Sequence, residues 1–268
     1  MNRKEFQLDL EATLSEAFFG HGYAHYGYWP QGMPEVPSAR ALGEAQQAYF
    51  DLVASTIPEG TQTILDVGSG TGANALGLTR LGYRLECICP SEQMNALARR
   101  KLPQEVKVHT LTFEEFETAR RYDLALFAES FHYIDLQAAL AQLERFIDGH
   151  VLIFDYFRKA GHGEDGTRGT HRAFVEAVER QGVFTIVRDE DKTEAIVPTF
   201  AVIDHLKAEH IAPFISRTRA AFAQSHPLRS WLVNRIAGRF LDKMARPGRR
   251  GMSFRKEREY RLILMKRN

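Results

Sequence analysis

The chain has 268 residues, of which 44% are hydrophobic and 11% aromatic, and its formal net charge is +1. This length allows one large domain or one domain with an inserted cap, and the apolar content is sufficient for a sizeable core. No apolar run approaches the ~18 residues of a membrane span and the N-terminus lacks an apolar signal core, so we expect a cytoplasmic protein. The two cysteines, Cys87 and Cys89, lie in one predicted strand and are expected to be free, which fits a reducing compartment.

Apolar segments and helical patterns alternate along most of the chain. Residues 1–37 combine helix formers with a loop rich in Tyr, Gly and Pro, and Ser38 is suited to cap a helix that runs to about Ile57. Further helices are predicted at about 73–81, 91–102, 134–146 and 171–180. Strands are predicted at Thr63–Val67, Arg84–Cys89, Val106–His109, Tyr122–Ala128, Val151–Tyr156, Val183–Asp189 and Tyr260–Met265. This alternation predicts an α/β fold with a doubly wound, mostly parallel sheet.

A long helical pattern, about residues 199–245, separates the last two predicted strands. It carries an apolar stripe (Trp231, Leu232, Ile236, Phe240, Leu241, Met244) and a basic side (Arg235, Arg239, Lys243, Arg246). Residues 216–268 contain 15 Lys and Arg against three acids, whereas the remainder contains 20 bases against 31 acids. The asymmetry favours an anionic partner or substrate near this part, and equally a solvated basic face beside an acidic body.

The most informative segment is Ile64-Leu65-Asp66-Val67-Gly68-Ser69-Gly70-Thr71-Gly72. A strand that runs into alternating glycines at the start of a helix lets the backbone approach a ligand closely. It also directs free N–H groups and the positive end of the helix dipole toward that ligand. The glycine spacing formally satisfies a dinucleotide fingerprint, but Asp66 would repel a pyrophosphate and suits a ligand that carries an ammonium group. A tight turn that binds nothing is the alternative.

This segment resembles the glycine-rich first motif of the class I S-adenosylmethionine-dependent methyltransferases, of the small-molecule type. The resemblance covers about residues 26–158, with a weaker echo in the last strands. It implies a Rossmann-like fold with seven strands, a helical substrate cap inserted between the last two of them, and S-adenosylmethionine as cofactor. It divides the chain into an N-terminal part with an aromatic lid (1–60), a cofactor-binding core (61–198), the cap (199–250) and the last strand (251–268).

The resemblance implies a cofactor site at the carboxyl ends of the strands. The residues expected there are Tyr26, Tyr28, Asp66, Gly68, Gly70, Gly72, Cys89, Pro90, Ser91, Met94, Thr112, Phe113, Glu129 and Phe131. Tyr26 and Tyr28 belong to an aromatic segment that is expected to fold over the cofactor, because aromatic faces suit a sulfonium cation. The alternative is an aromatic cluster that only packs the N-terminal helix onto the sheet.

Two positions depart from the family pattern. Cys89 stands where an acid usually accepts both ribose hydroxyls, and Thr112 stands where many members have an Asp near the adenine amino group. A thiol cannot form the two charge-assisted hydrogen bonds of a carboxylate, whereas the Thr112 hydroxyl can still accept one hydrogen bond. We expect the ribose to be held more weakly, or by other groups such as Ser91 or a neighbouring backbone group.

Methylation of a hydroxyl or an acidic carbon requires a base, and His132 is the best-placed titratable group, with Tyr133 and Asp155 as alternatives. A satisfied core histidine is the competing interpretation. The other histidines fit no metal template, so no metal is expected.

We therefore expect an enzyme that methylates a small molecule with a hydrophobic body and an anionic part, either free or bound to a carrier. In this hypothesis the cap forms the acceptor pocket and Arg235 and Arg239 bind the anion. A non-methylating reaction on the sulfonium and a non-catalytic binding module are the alternatives. A nucleic-acid partner is disfavoured because no nucleic-acid module is recognisable, and a homodimer is left open.

Overall fold

The computed structural model describes residues 22–23, 25–161, 169–226 and 250–268, together with Arg235, Gly238, Asp242 and Gly248. The helix formers expected in the first 21 residues lie outside this description. So do the predicted apolar stripe of the cap and three of its basic residues, Arg239, Lys243 and Arg246.

Seven strands form one sheet in the order β3-β2-β1-β4-β5-β7-β6. The strands are β1 (Thr63–Val67), β2 (Arg84–Ile88), β3 (Lys107–His109), β4 (Tyr122–Ala128), β5 (Ile147–Arg158), β6 (Phe184–Asp191) and β7 (Arg258–Arg267). The first five pair in parallel, whereas β7 is antiparallel to both β5 and β6. The predicted seven-stranded, mostly parallel sheet is thereby confirmed.

Helices flank the sheet: α1 (Ala39–Thr56), α2 (Ala73–Arg80), α3 (Glu92–Lys101), α4 (Leu136–Phe146) and α5 (His171–Gln181). Between β6 and β7 lie α6 (Thr193–Ile196), α7 (Pro198–Leu206), a π-helical turn (Lys207–Ile211), α8 (Ala212–Ser225) and α9 (Arg250–Glu257). The described helices of this segment thus lie between the last two strands of the chain, β6 and β7. None of the described helices is both long and apolar enough to cross a membrane.

The helix starts follow from the capping residues. Ser38 Oγ accepts a hydrogen bond from Ala41 N–H and begins α1, and Ser91 Oγ accepts one from Met94 N–H and begins α3. Strand β5 is longer than predicted because its first residues, Ile147–His150, include polar side chains that hide the strand from an apolar pattern. Pairing with β4 and β7 on either side holds these residues in the sheet.

Two apolar layers cover the sheet. One contains side chains from α1, α2, α3 and the inserted helices, among them Tyr49, Phe154, Phe200, Phe254 and Tyr260. The other contains side chains from α4 and α5 and is rich in phenylalanine. Because the inserted helices pack in the first layer, they share one side of the sheet with the N-terminal aromatic segment.

Candidate active site

The glycine loop joins β1 to α2 at the edge where the parallel strands end. Gly68, Gly70 and Gly72 have φ values of +80°, +55° and +75°, which only glycine adopts readily. The N–H groups of Gly68 and Ser69 donate to the Ile88 carbonyl at 2.7 and 3.1 Å, so β2 holds the loop in place.

Close approach explains two of the three glycines. A Cβ at Gly68 would lie 2.2 Å from Ser130 Cβ, and one at Gly72 would lie 2.9 Å from Ala98 Cβ. At Gly70 the nearest atom, Met94 Sδ, would lie 3.7 Å away, which is an ordinary contact. The first and third glycines therefore fit the loop against the protein, whereas Gly70 is required by its backbone conformation alone.

Asp66 is buried on β1 directly before the loop, with 2% of its surface exposed. Burial raises the pKa of Asp66 to about 7. Within the described part of the chain its Oδ2 atom has no hydrogen-bond partner, and neither does the buried Oδ1 atom of Asn74 at the start of α2. Buried acceptors without donors suit a ligand that brings N–H groups. The loop thus fits the ammonium-bearing end of S-adenosylmethionine, as the sequence predicts.

Cys89 lies against the same loop. Burial raises the pKa of the Cys89 thiol, and hydrogen bonds from the N–H groups of Ser91 and Gly70 partly offset this effect. The Ser91 hydroxyl accepts from Met94 N–H and lies 3.3 Å from Gln93 Oε1, while the adjacent Pro90 is exposed. Of the predicted cofactor residues in this segment, Cys89 and Met94 therefore border the loop at Gly70, whereas Ser91 is engaged as a helix cap.

Thr112, Phe113 and Phe131 are less available to a ligand. The Thr112 hydroxyl donates to Glu115 Oε2 at 3.0 Å, within a local turn. The rings of Phe113 and Phe131 are 2% and 6% exposed and both pack against Phe127 in the second apolar layer. A cofactor contact from these two residues would have to come from their backbone groups.

The N-terminal aromatic segment is held across this edge of the sheet. The Gly22 carbonyl accepts from the Thr71 hydroxyl of the glycine loop at 2.7 Å. Thr199 Oγ1, on α7, accepts from Gly27 N–H at 3.0 Å and from Trp29 Nε1 at 2.8 Å. The segment therefore connects the glycine loop to the inserted helices, as a lid would.

The two predicted lid tyrosines have different surroundings. The Tyr26 ring packs against Phe200, with centroids 5.0 Å apart, and lies 6.3 Å from Phe254. The half-buried Tyr28 ring lies 6.5 Å from the Phe154 ring and 5.8 Å from Lys192 Nζ. Tyr26 thus belongs to an aromatic wall with Phe200 and Phe254, which agrees with the packing interpretation.

Glu129, directly after β4, has φ +60°, a strained backbone conformation for a residue other than glycine. Its carboxylate accepts from Tyr26 N–H at 2.8 Å and from the Tyr260 hydroxyl at 2.7 Å. The Tyr260 hydroxyl also lies 3.2 Å from that of Tyr49. Burial raises the pKa of Glu129 to about 8. Tyr49 and Tyr260 were not predicted as site residues, because no local pattern shows that β7 and α1 meet at this carboxylate.

His132 and Asp155 form a hydrogen-bonded pair beside this network. The Nδ1 atom of His132 lies 2.9 and 3.0 Å from the two Asp155 oxygens, and its backbone N–H donates to Oδ2 at 3.1 Å. Asp155 is 1% exposed, and its Oδ1 also accepts from Tyr156 N–H at 2.7 Å. A carboxylate at Nδ1 favours the tautomer in which Nδ1 donates and Nε2 keeps its lone pair. This is the arrangement of a general base.

Two tyrosines pack on the His132 ring. Their ring centroids lie 3.9 Å from it for Tyr133 and 4.2 Å for Tyr156. Tyr133 is 64% exposed, whereas Tyr156 is half-buried. The described residues contain no group of three or more His, Cys, Asp or Glu side chains that could hold a metal ion.

Part of the chain is similar in sequence to known methyltransferases. Residues 64–148, from β1 to the start of β5, match the family model described as a methyltransferase domain. This region is therefore similar to the methyltransferase domain, in agreement with the resemblance of its glycine-rich segment. An uncharacterized methyltransferase of Bacillus mycoides is 24% identical over 146 residues, which span 53% of this chain and 66%, just under two thirds, of the relative.

Solved methyltransferase-like structures share the whole fold. The [4+2]-cyclase SpnF superimposes with a TM-score of 0.70 at 19% identity, covering 99% of this chain and 95% of SpnF. Geranyl diphosphate C-methyltransferase from Streptomyces coelicolor A3(2) superimposes with a TM-score of 0.69 at 14% identity, covering 100% and 98%. The latter structure contains Mg²⁺, geranyl diphosphate and S-adenosyl-L-homocysteine. The predicted fold is thereby confirmed, and the match over residues 64–148 agrees with the predicted methyltransferase family.

Replacing Asp66 with Asn tests the loop. The pKa of Asp66 rises from 3.8 in the exposed side chain to about 7 in the folded protein. Between these two pH values the folded state binds more protons than the unfolded state. The stability of the wild type therefore falls as the pH rises from 3.8 to about 7. At pH 8 the variant should therefore unfold with a free energy up to about 4 kcal/mol larger, and at pH 4 with little difference. Its affinity for S-adenosylmethionine at pH 8 should fall about tenfold or more, because a neutral amide replaces a charged acceptor.

Urea unfolding at both pH values and calorimetric titration with the cofactor measure these effects. Asp123→Asn is the matched control, since the Asp123 carboxylate accepts hydrogen bonds from Gln62 and Thr63 at the opposite edge of the sheet. It should lower stability and leave cofactor affinity unchanged. Equal cofactor affinity of wild type and Asp66→Asn would contradict the assigned role of Asp66.

Proposed function

We propose that the protein transfers a methyl group from S-adenosylmethionine to a small-molecule acceptor, with His132 as general base. The observation that carries the proposal is the His132–Asp155 pair, because the buried carboxylate orients the imidazole through Nδ1 and the ring packs on Tyr156, which lies beside Phe254.

The described residues have different roles in such a reaction. Bound S-adenosylmethionine supplies an activated methyl group on a sulfonium. Asp66 and the glycine loop bind its amino-acid end, and the segment from Gly22 to Trp29 excludes water from the edge of the sheet. His132 Nε2 would accept the proton of the acceptor group that takes up the methyl. Asp155 stabilises the resulting imidazolium.

The acceptor pocket in this proposal lies between the sheet and the inserted helices of the cap, residues 199–250. Phe200 on α7 and Phe254 on α9 pack with rings 5.1 Å apart, and Tyr156 lies 5.9 Å from Phe254. Because Phe200 and Phe254 are 6% and 5% exposed, an acceptor with a hydrophobic body would contact mainly the half-buried Tyr156 ring. Geranyl diphosphate, the ligand of a structural neighbour, has such a body with an anionic end. Both cysteines are free and buried, which is consistent with a reducing cytoplasm.

Product analysis tests the reaction. The protein with S-adenosylmethionine and a panel of amphiphilic hydroxy and acidic-carbon compounds, free or carrier-bound, should yield S-adenosylhomocysteine and a methylated product. Methylthioadenosine would instead indicate a non-methylating reaction, for which the thiol of Cys89 in place of the usual ribose acid is the favouring observation. Absence of cofactor binding at millimolar concentration would favour a binding module.

Tyr133 is the alternative base, and Tyr133→Phe separates it from His132. Because Tyr133 is 64% exposed, water solvates most of its side chain. We expect this variant to keep kcat within about threefold of wild type, since a neutral surface substitution changes little. Steady-state kinetics with the acceptor found above measures it, and a loss as large as that of a His132 variant would move the base to Tyr133.

A further inference from the structure

Two arginines stand opposite each other where β5 ends and β7 begins. Arg158 and Arg258 are direct partners in the antiparallel register, so their side chains share one face of the sheet. Tyr156 and Tyr260 are also direct partners, each two residues away from its arginine along the strand. Since side chains alternate between the two faces of a sheet, both tyrosines lie on the same face as the arginines. Like charges directly opposite in such a pair destabilise the sheet, and this pair therefore needs a neutralising group.

The described residues do not supply that group. Neither guanidinium has an ion pair or a side-chain hydrogen bond among them. The nearest acids in sequence are engaged elsewhere: Glu257 Oε1 accepts from Ser253 Oγ at 2.8 Å, and Glu259 Oε2 lies 3.6 Å from Arg261 Nη1. The two positive charges thus face the site without a protein counter-ion in the part of the chain that is described.

Aromatic packing holds one of them next to the candidate base. The Cζ atom of Arg258 lies 4.4 Å from the centroid of the Tyr156 ring and 5.9 Å from that of Phe254. The Tyr156 ring in turn lies 4.2 Å from the His132 ring. Stacking fixes a guanidinium while its N–H groups stay available, a geometry that suits bidentate binding of an oxyanion.

We infer that Arg158 and Arg258 form a clamp for a carboxylate or phosphoryl group of the acceptor, and so determine its specificity. The inference rests on the proposed function and names its substrate class: an acceptor with an apolar body and an oxyanion that lies beside Tyr156. The anion site is then formed by Arg158 and Arg258 at the edge of the sheet. The sequence instead predicts Arg235 and Arg239 for this role.

Binding of small anions to the full chain tests the clamp. Inorganic pyrophosphate and, in a separate experiment, malonate are titrated calorimetrically in low-salt buffer. Tighter binding of pyrophosphate indicates a phosphoryl site, and tighter binding of malonate indicates a carboxylate site. Arg258→Gln should weaken binding of the tighter probe about tenfold or more, and the double variant Arg158→Gln/Arg258→Gln should abolish it. Arg258→Lys keeps the positive charge but loses the paired N–H groups of the guanidinium, so it should lose only part of the affinity. Arg84→Gln, an exposed strand arginine at the opposite edge, is the control and should change nothing.

S-adenosylhomocysteine is titrated into the same variants. Unchanged affinity for it, with loss of the anion probe, supports the clamp and shows that the variants are folded. The inference is overturned if neither probe binds the wild type at about 10 mM, a concentration that would reveal even weak sites, or if the double variant binds as the wild type does. Failure of S-adenosylhomocysteine to bind the wild type would overturn the proposed function instead, whatever the probes do.

Discussion

His132→Gln lowers kcat for methyl transfer by about 10²–10⁴-fold, the usual contribution of a positioned general base. Glutamine keeps a polar side chain of similar reach but cannot accept a proton at neutral pH. The affinity for S-adenosylhomocysteine should stay within about twofold, because His132 contacts Asp155 and two tyrosines and not the glycine loop. Single-turnover kinetics and calorimetry measure the two quantities on the same preparation.

Asp155→Asn tests the second half of the pair. An amide at this position fixes neither the tautomer nor the charge of the imidazole, so kcat should fall by about 10²-fold or more while His132 itself is intact. His150→Gln, on the first residues of the same strand, is the control and should leave kcat unchanged. Equal loss of kcat and of S-adenosylhomocysteine affinity in His132→Gln would assign the residue to binding and remove it as the base.

Local signals explain what could be predicted from the sequence. The continuous apolar runs gave β1 and β4 with the bounds that the structure has, and Ser38 and Ser91 cap the helices that they were expected to cap. The glycine loop and Asp66 were also readable, because a strand, a carboxylate and three glycines stand next to one another in the chain. Each of these features depends on residues within a few positions of each other.

Features that depend on strand pairing could not be predicted in this way. Tyr260 meets Glu129, and Arg258 faces Arg158, only because β7 enters the sheet antiparallel beside β5. The pairing of His132 with Asp155 likewise requires β4 and β5 to be neighbours, and the sequence gives no register for them. The N-terminal aromatic residues were expected at the site from a resemblance, but their contacts with α7 follow from the packing of the inserted helices alone.

The largest effect on the cofactor loop is expected for Gly68→Ala. The new Cβ would lie 2.2 Å from Ser130 Cβ at a φ of +80°, so the variant combines a strained backbone with a clash that the buried Ser130 cannot relieve. Left-handed strain costs about 1–2 kcal/mol and overpacking about 1–3 kcal/mol, so the free energy of unfolding should drop by about 2–5 kcal/mol. Affinity for S-adenosylmethionine should fall at least about tenfold, because the loop that leads from Asp66 to the start of α2, where the cofactor is expected to bind, must shift.

Gly82→Ala isolates the backbone contribution, since Gly82 has φ +96° and open space around its missing Cβ. It should lose about 1–2 kcal/mol of stability and no cofactor affinity. Ser130→Gly combined with Gly68→Ala removes the clash, although it also removes the hydrogen bond from Ser130 Oγ to the Val67 carbonyl. The double variant should be more stable than Gly68→Ala alone and should recover cofactor affinity, a coupling that urea unfolding and calorimetry measure as a double-mutant cycle. Additive losses in that cycle would show that Gly68 is required only by its φ, and that Ser130 does not set how closely β4 approaches the loop.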